Sequence, residues 1–345
     1  MTSANLPFSS AAVIGAGSWG TALATLLAER GLPVTLWCRH TEQAAELLRT
    51  RFNTPYLPNI RLAESISPTS ELSRAATADL VLMVTPSAAV RPLARALATA
   101  GLPSTSVILS CSKGIEPHTG LRMSQILAEI LPNNPIAVLS GPNHAEETAH
   151  RLATASVVGA SDHDTAARLQ KVFQLSWFRA YTSTDIAGIE LGGAIKNVFA
   201  IAGGIAEGLG LGDNAKAALV TRGLAEMVRL GTLMGGRPET FQGLSGVGDL
   251  VVTCYSEHSR NHRLGRALGQ GASLAEALKN MGNMVVEGVP NTASIHQAAR
   301  HMQASTPLID AVFAVLYNNK APSAALTELL SRQPRPEADN DPESV

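Results

Sequence analysis

The run Ser10-Ala-Ala-Val-Ile14, the turn Gly15-Ala-Gly17-Ser-Trp-Gly20 and the helical pattern Thr21 to Arg30 decide the fold between them. A short apolar strand, three spaced glycines and a helix, in that order, make the βα unit that binds a dinucleotide. Gly15, Gly17 and Gly20 take away side chains where the backbone must turn, approach a pyrophosphate and let helix pack on strand. The helix amino terminus then offers free N–H groups and a positive dipole end to the phosphates. An ordinary tight turn uses the same glycines, so the neighbouring segments have to separate the two readings.

The next strand, Pro33-Val-Thr-Leu-Trp37, should end beside the adenine ribose, where an NAD-specific site places Asp or Glu. Here the chain reads Cys38-Arg39-His40. A carboxylate would repel a 2'-phosphate, whereas a guanidinium pairs with it, so NADP(H) is expected to be preferred over NAD(H). An arginine merely exposed at a strand end is the alternative. Further strands are expected at Leu80–Val84, Ser106–Ser110, Ile136–Leu139 and Thr154–Val158, whose unbroken apolar character suits a sheet covered on both faces. Three of them run into the loops Thr85-Pro-Ser, Cys111-Ser-Lys-Gly114 and Ser140-Gly-Pro-Asn143. Ligands of open α/β sheets bind beyond the carboxyl ends of strands, which points Lys113, Gly141 and Asn143 at one crevice. A solvated loop lysine remains the other reading of Lys113.

The stretch Ile189 to Glu207 keeps helical spacing despite its glycines, and between Leu191 and Ala206 its one ionisable residue is Lys196. At helical spacing Lys196 is flanked by Gly192, Gly193, Ala200 and Gly203, a face almost without side chains that another segment can approach closely. A solvated lysine on an amphipathic helix is the plainer reading. A membrane span is rejected, because a central lysine costs roughly 2.5 to 3.5 kcal/mol of insertion. Beyond this helix only helical patterns follow: Ala215 to Met234, a capping box at Ser273-Leu-Ala-Glu276, and a proline-led start at Thr306-Pro-Leu. The division expected is residues 1–190 as an α/β Rossmann-type NAD(P)-binding domain, 191–331 as an all-α substrate domain, and 332–345 as a disordered, proline-rich acidic tail.

Within the helical half, Gly243-Leu-Ser-Gly-Val-Gly-Asp249 ends in an aspartate that is equally a helix N-cap. Ser259-Arg260-Asn261 groups a hydroxyl, a guanidinium and an amide at a helix start, which makes either an anion cradle or an N-cap with a surface arginine. A net charge of -1 and 4% aromatic residues leave no footprint for nucleic acid. The three cysteines show no metal spacing, so no metal is expected and reduced thiols suit a cytoplasmic protein. No Lys or Arg precedes Arg30, unlike the charged start of a signal peptide.

With these residues laid out, the chain resembles the soluble NAD(P)-dependent glycerol-3-phosphate dehydrogenases over residues 10 to 330. The matches are Gly15–Gly20, Cys111–Gly114, Ser140–Pro142, Leu191–Asn197, Gly246–Asp249, Ser259–Asn261 and Val286–Gly288. The resemblance implies reduction of dihydroxyacetone phosphate to sn-glycerol 3-phosphate, which supplies glycerophospholipid synthesis, and it implies a homodimer. It makes Lys196 the acid/base residue. Lys113, Gly141, Asn143, Lys196, Asp249, Ser259, Arg260 and Asn261 then line the substrate site. Ser18, Trp19, Arg39, His40, Tyr56, Lys113, Ala145, Arg260, Val285 and Glu287 join the glycines around the cofactor. The family commonly has Ser-Phe after Gly-Pro, whereas this chain has Asn143-His144. Another two-domain NADP-dependent reductase, such as a ketopantoate reductase, is the alternative; an arginine at a helix start, suited to a substrate phosphate, speaks against it.

Overall fold

The structure is a computed structural model that describes residues 6–282, 285–334, 336 and 337. The strands are β1 (Ala11–Ile14), β2 (Val34–Trp37), β3 (Phe52–Asn53), β4 (Leu57–Arg61), β5 (Ile66–Thr69), β6 (Leu80–Met83), β7 (Val107–Ser110), β8 (Ile136–Ser140), β9 (Thr154–Ala160) and β10 (Phe178–Ser183). Eight of them form one sheet in the order β5-β2-β1-β6-β7-β8-β9-β10, and β3 with β4 makes a separate antiparallel ribbon. All neighbours in the large sheet run parallel except β8 and β9. Strand order reverses between β1 and β6, which opens a crevice beyond their carboxyl ends.

Alternation along the strands buries both faces. Val13, Leu82 and Leu109 join one core with the helix Ser18–Glu29, while Ile14, Val81, Met83 and Ile108 join another with Val90, Ala94 and Leu97. The sheet therefore reads as unbroken apolar runs, as expected. Two of its strands escape that signal because they are edges. β5 carries Pro68, which an edge strand tolerates, and β10 alternates buried with exposed residues. The division at residue 190 remains a proposal, supported by the last strand ending at Ser183 and by every described element after it being helical. Most of the tail 332–345 lies outside the described residues.

The helix Ile186–Gly208 runs through the middle of the helical half with 18 of its 23 residues buried. It is the one described helix long and apolar enough to cross a membrane, and it is buried inside the protein instead. Asp185 starts it by accepting from Gly188 N–H at 2.9 Å. Its glycines let other backbones come close, as the bare face predicts. A Cβ on Gly192 would stand 2.4 Å from Ser245 O, and one on Gly204 would stand 2.0 Å from His262 O. The approach is reciprocal, because a Cβ on Gly265 would stand 2.0 Å from Ile201 O. Thus Gly204 and Gly208 face Gly265 and Gly269 of the helix Arg260–Gly269. That crossing places the Ser259–Asn261 corner beside the centre of the long helix.

Adding one methyl group at this crossing must push the two backbones apart. Gly265→Ala is expected to lower stability by ~1–3 kcal/mol, the usual cost of overpacking. A thermal or urea midpoint equal to that of the unaltered chain would show that the helices are not in backbone contact.

Candidate active site

On the nucleotide side, β1 hands over to Gly15 at φ +117°, a region closed to side-chain-bearing residues, where a Cβ would stand 2.4 Å from Val84 O. A Cβ on Gly20 would overlap Gly15 O, whereas Gly17 has nothing within 4 Å. Two glycines thus serve packing and the third leaves bare backbone facing open space at a helix start, the shape a pyrophosphate requires. Ser18 Oγ donates to Tyr56 O at 2.7 Å, which ties the loop before β4 to the turn. Trp19 Nε1 is buried there with no partner, a donor left for a ligand or water. Arg39 and His40 are exposed immediately after β2, and none of Cys38, Arg39 and His40 is a carboxylate. Tyr56 is also exposed, and Ala145 is packed beneath the first helix with Ala22 and Leu57. These features fit a dinucleotide. Val285 is exposed. Glu287 closes the crevice from the helical side, accepting from Ser87 N–H at 3.2 Å and from Ser87 Oγ at 2.9 Å.

At the other end of the crevice three charged side chains meet. Lys113, on the loop after β7, donates to Asp249 Oδ2 at 2.7 Å, to Asn143 Oδ1 at 3.1 Å and to Gly141 O at 3.2 Å. Lys196 donates to the other oxygen of Asp249, Oδ1, and to Thr253 Oγ1 at 2.7 Å. Lys196 and Asp249 are 5% and 1% exposed, so this is a buried charge cluster. One carboxylate is shared by two ammonium groups, and one positive charge is left without its own counter-ion. Burial, with Lys113 adding to it against the opposing pull of Asp249, brings the Lys196 pKa down to about 7. Burial alone would raise the Asp249 carboxyl, but the two lysines more than offset it and hold it below its ordinary value.

The aspartate therefore spends its side chain on the lysines and not on an N-cap. Leu244–Gly248 forms one wide helical turn that delivers it, and Gly248 is the cap position of the helix Asp249–Tyr255. Thr253 stands one turn further on and donates to Asp249 O at 2.6 Å. Sequence reasoning missed Thr253, although its spacing of four from Asp249 on one helix was readable. At the third corner Ser259 is the N-cap of the helix Arg260–Gly269, its Oγ accepting from His262 N–H at 3.2 Å. The hydroxyl is thus occupied as the plainer reading has it. Asn261 is likewise engaged: its amide donates to Asn197 Oδ1 at 2.9 Å and accepts from Gly288 N–H at 2.9 Å. Arg260 is exposed and faces the carboxylates of Glu287 and Glu146.

His144 follows Asn143 at the point where the sequence departs from the pattern of the resemblance. Its ring lies 5.9 Å from that of His258, and Nε2 is buried without a partner. Burial, with the nearby lysines, pushes its pKa down to about 4, so the imidazole is neutral near pH 7.

Comparison with known proteins agrees with this geometry. Residues 10–166 match the family profile described as the N-terminus of NAD-dependent glycerol-3-phosphate dehydrogenase, and residues 185–327 match that of its C-terminus. The chain is 49% identical over 324 residues to the glycerol-3-phosphate dehydrogenase [NAD(P)+] of Moorella thermoacetica, covering 94% of this chain and 96% of that one. It is 46% identical over 331 residues to the protein of the same name from Lysinibacillus sphaericus, covering 95% and 97%. Among solved structures, glycerol-3-phosphate dehydrogenase from Coxiella burnetii superposes with a TM-score of 0.90 at 38% identity, over 94% of this chain and 99% of that one. A ketopantoate reductase from Ralstonia eutropha, at 17% identity and a TM-score of 0.60, shares the fold alone. The Gly15–Gly20 turn, the lysine pair on Asp249 and these full-length matches lead to one conclusion: the chain belongs to the NAD-dependent glycerol-3-phosphate dehydrogenase family.

Proposed function

We propose that Lys196 is the proton-transfer residue and that Lys113, Asn143, Asp249 and Arg260 orient the substrate as this enzyme reduces dihydroxyacetone phosphate to sn-glycerol 3-phosphate. The observation that carries the reading is the buried Lys113–Asp249–Lys196 cluster. NADPH or NADH supplies the hydride that makes the new C–H bond. An ammonium has three N–H donors, and Lys196 uses two of them on Asp249 and Thr253. The third is left for the carbonyl oxygen, which becomes a hydroxyl by taking that proton. A pKa near neutrality lets the same nitrogen give the proton in one direction and take it back in the other. Arg260, the first residue of a helix capped by Ser259, is the phosphate contact: a guanidinium and a helix amino terminus favour the same anion. The assembly we infer is a cytoplasmic homodimer. Three buried free cysteines suit a reducing compartment, and sedimentation of the purified chain tests the dimer.

Mixing the chain with NADPH and dihydroxyacetone phosphate should give phosphate-dependent loss of the reduced-nicotinamide absorbance; none would contradict the assignment. Lys196→Met keeps the apolar stem and should lower turnover roughly 100- to 10,000-fold while NADPH still binds. Turnover within a few fold of the original would make Lys196 a bystander. Reduction should weaken and the reverse oxidation strengthen as pH rises through about 7, where Lys196 loses its proton.

The same shift has a signed effect on stability. Above about pH 7 folded Lys196 is neutral, whereas in the unfolded chain it stays protonated to ~10.4, so stability rises with pH across that window and is lost as pH falls toward 7. Denaturant titrations of the unaltered chain should show this rise relative to Lys196→Met, and parallel curves would contradict the depressed pKa. Arg260→Ala should raise the KM for dihydroxyacetone phosphate by the equivalent of roughly 2 to 5 kcal/mol; a fall in kcat with KM unchanged would place the phosphate elsewhere. For the cofactor, Arg39→Asp should raise the KM for NADPH far more than that for NADH. Equal effects on both would remove Arg39 from the ribose.

A further inference from the structure

A second buried charge, away from the reacting groups, lies on the same helix as Lys196. Glu190 is 7% exposed, and its carboxylate accepts from Arg122 Nη1 at 2.7 Å, from Ser124 N–H at 2.8 Å and from Ser124 Oγ at 2.5 Å. Arg122 and Ser124 belong to the nucleotide-binding half, at the start of the helix Met123–Ile130. Buried ion pairs return little net stability against the cost of desolvating them, so stability alone is a poor account of this one.

What the contact does fix is position. Arg122 forms an antiparallel bridge with Ile115, and Glu116 N–H donates to Leu121 O at 2.9 Å, which closes the chain between them into a tight excursion. Ile115 lies two residues beyond Lys113. On the long helix Glu190, Gly193 and Asn197 share one stripe at intervals of three and four, with Lys196 at its margin. A Cβ on Gly193 would stand 3.4 Å from Lys113 Cγ, so the lysine stem lies along the helix one turn after the Glu190 anchor. Further along the same helix Lys196 meets Lys113 through Asp249. Glu190 thus holds one end of a short rigid path whose other end is the ammonium of Lys113.

We propose that Glu190 is a positioning residue: by gripping Arg122 and Ser124 it holds the Lys113 loop against the long helix, so that Lys113 and Lys196 share Asp249 at a fixed separation. The inference rests on those lysines being the working pair of the site. Besides Asp249 and Lys113, the titratable groups around Lys196 are His144 and Cys254, and Glu190 touches none of them. Loosening the anchor therefore acts on Lys196 through Lys113: a more distant Lys113 repels it less, and Lys196 holds its proton to higher pH.

Glu190→Gln keeps the side-chain shape and removes the charge. It should move the pH midpoint of kcat upward by about one unit, as expected when a neighbouring like charge withdraws. It should raise the KM for dihydroxyacetone phosphate about tenfold, because small misplacements of an orienting group are costly. Ser124→Ala removes one of the three bonds without stranding a charge and should shift the midpoint the same way by less. A purely structural role would lower the melting temperature and leave the midpoint in place. An unmoved midpoint in whichever of the two variants folds overturns the proposal. If Lys196→Met retains turnover, the reading of the site fails instead, so the two failures are distinguishable.

Discussion

One carboxylate between two ammonium groups is the constraint on which the rest of the site depends. Asp249 divides its charge between Lys113 and Lys196, so the buried Lys196 ammonium is only half compensated. Its pKa near 7 follows from that arithmetic together with burial. A fourth charge would undo it. The neighbouring positions are filled accordingly: His144 is held neutral, and Cys254 is a thiol whose pKa burial pushes up to about 12. Asn197 and Asn261 pair with each other and bring no charge.

Such a cluster needs three segments from two halves of the chain to meet with little tolerance, and the long helix Ile186–Gly208 supplies the meeting surface. Its glycines do this by absence. Without a Cβ at Gly192 and Gly193, the loop delivering Asp249 and the stem of Lys113 lie directly on the backbone. Gly204 does the same for the helix that begins at Arg260. Glycine inside a helix costs roughly 0.5–1 kcal/mol against alanine, so this stretch trades intrinsic helix propensity for close approach, and its burial offsets the loss.

Much of this was legible beforehand, for identifiable reasons. The β1 turn was readable because strand, glycines and helix occur in the only order that builds a phosphate-binding βα unit. Lys196 stood out because no other charge lies on its face of the helix. What stayed hidden depends on distance in space. Asp249 looked the same as an N-cap, since a residue before an apolar run does not reveal which way its carboxylate turns. Ser259 was readable either as an anion ligand or as an N-cap, and its hydroxyl accepts from His262 N–H as a cap does. Edge strands β5 and β10 lack the apolar run that betrays a central strand. The clasp of Glu287 on Ser87 joins residues 200 apart in sequence, which no local pattern encodes.

The most direct test of the account is the titration of Lys196 itself. With 13C-labelled lysine, the Cε resonance that disappears in Lys196→Met can be assigned and followed with pH. A midpoint near 7 is the predicted result. A midpoint near ~10.4, the value of an ordinary lysine, would contradict the shared-carboxylate account and the mechanism built on it.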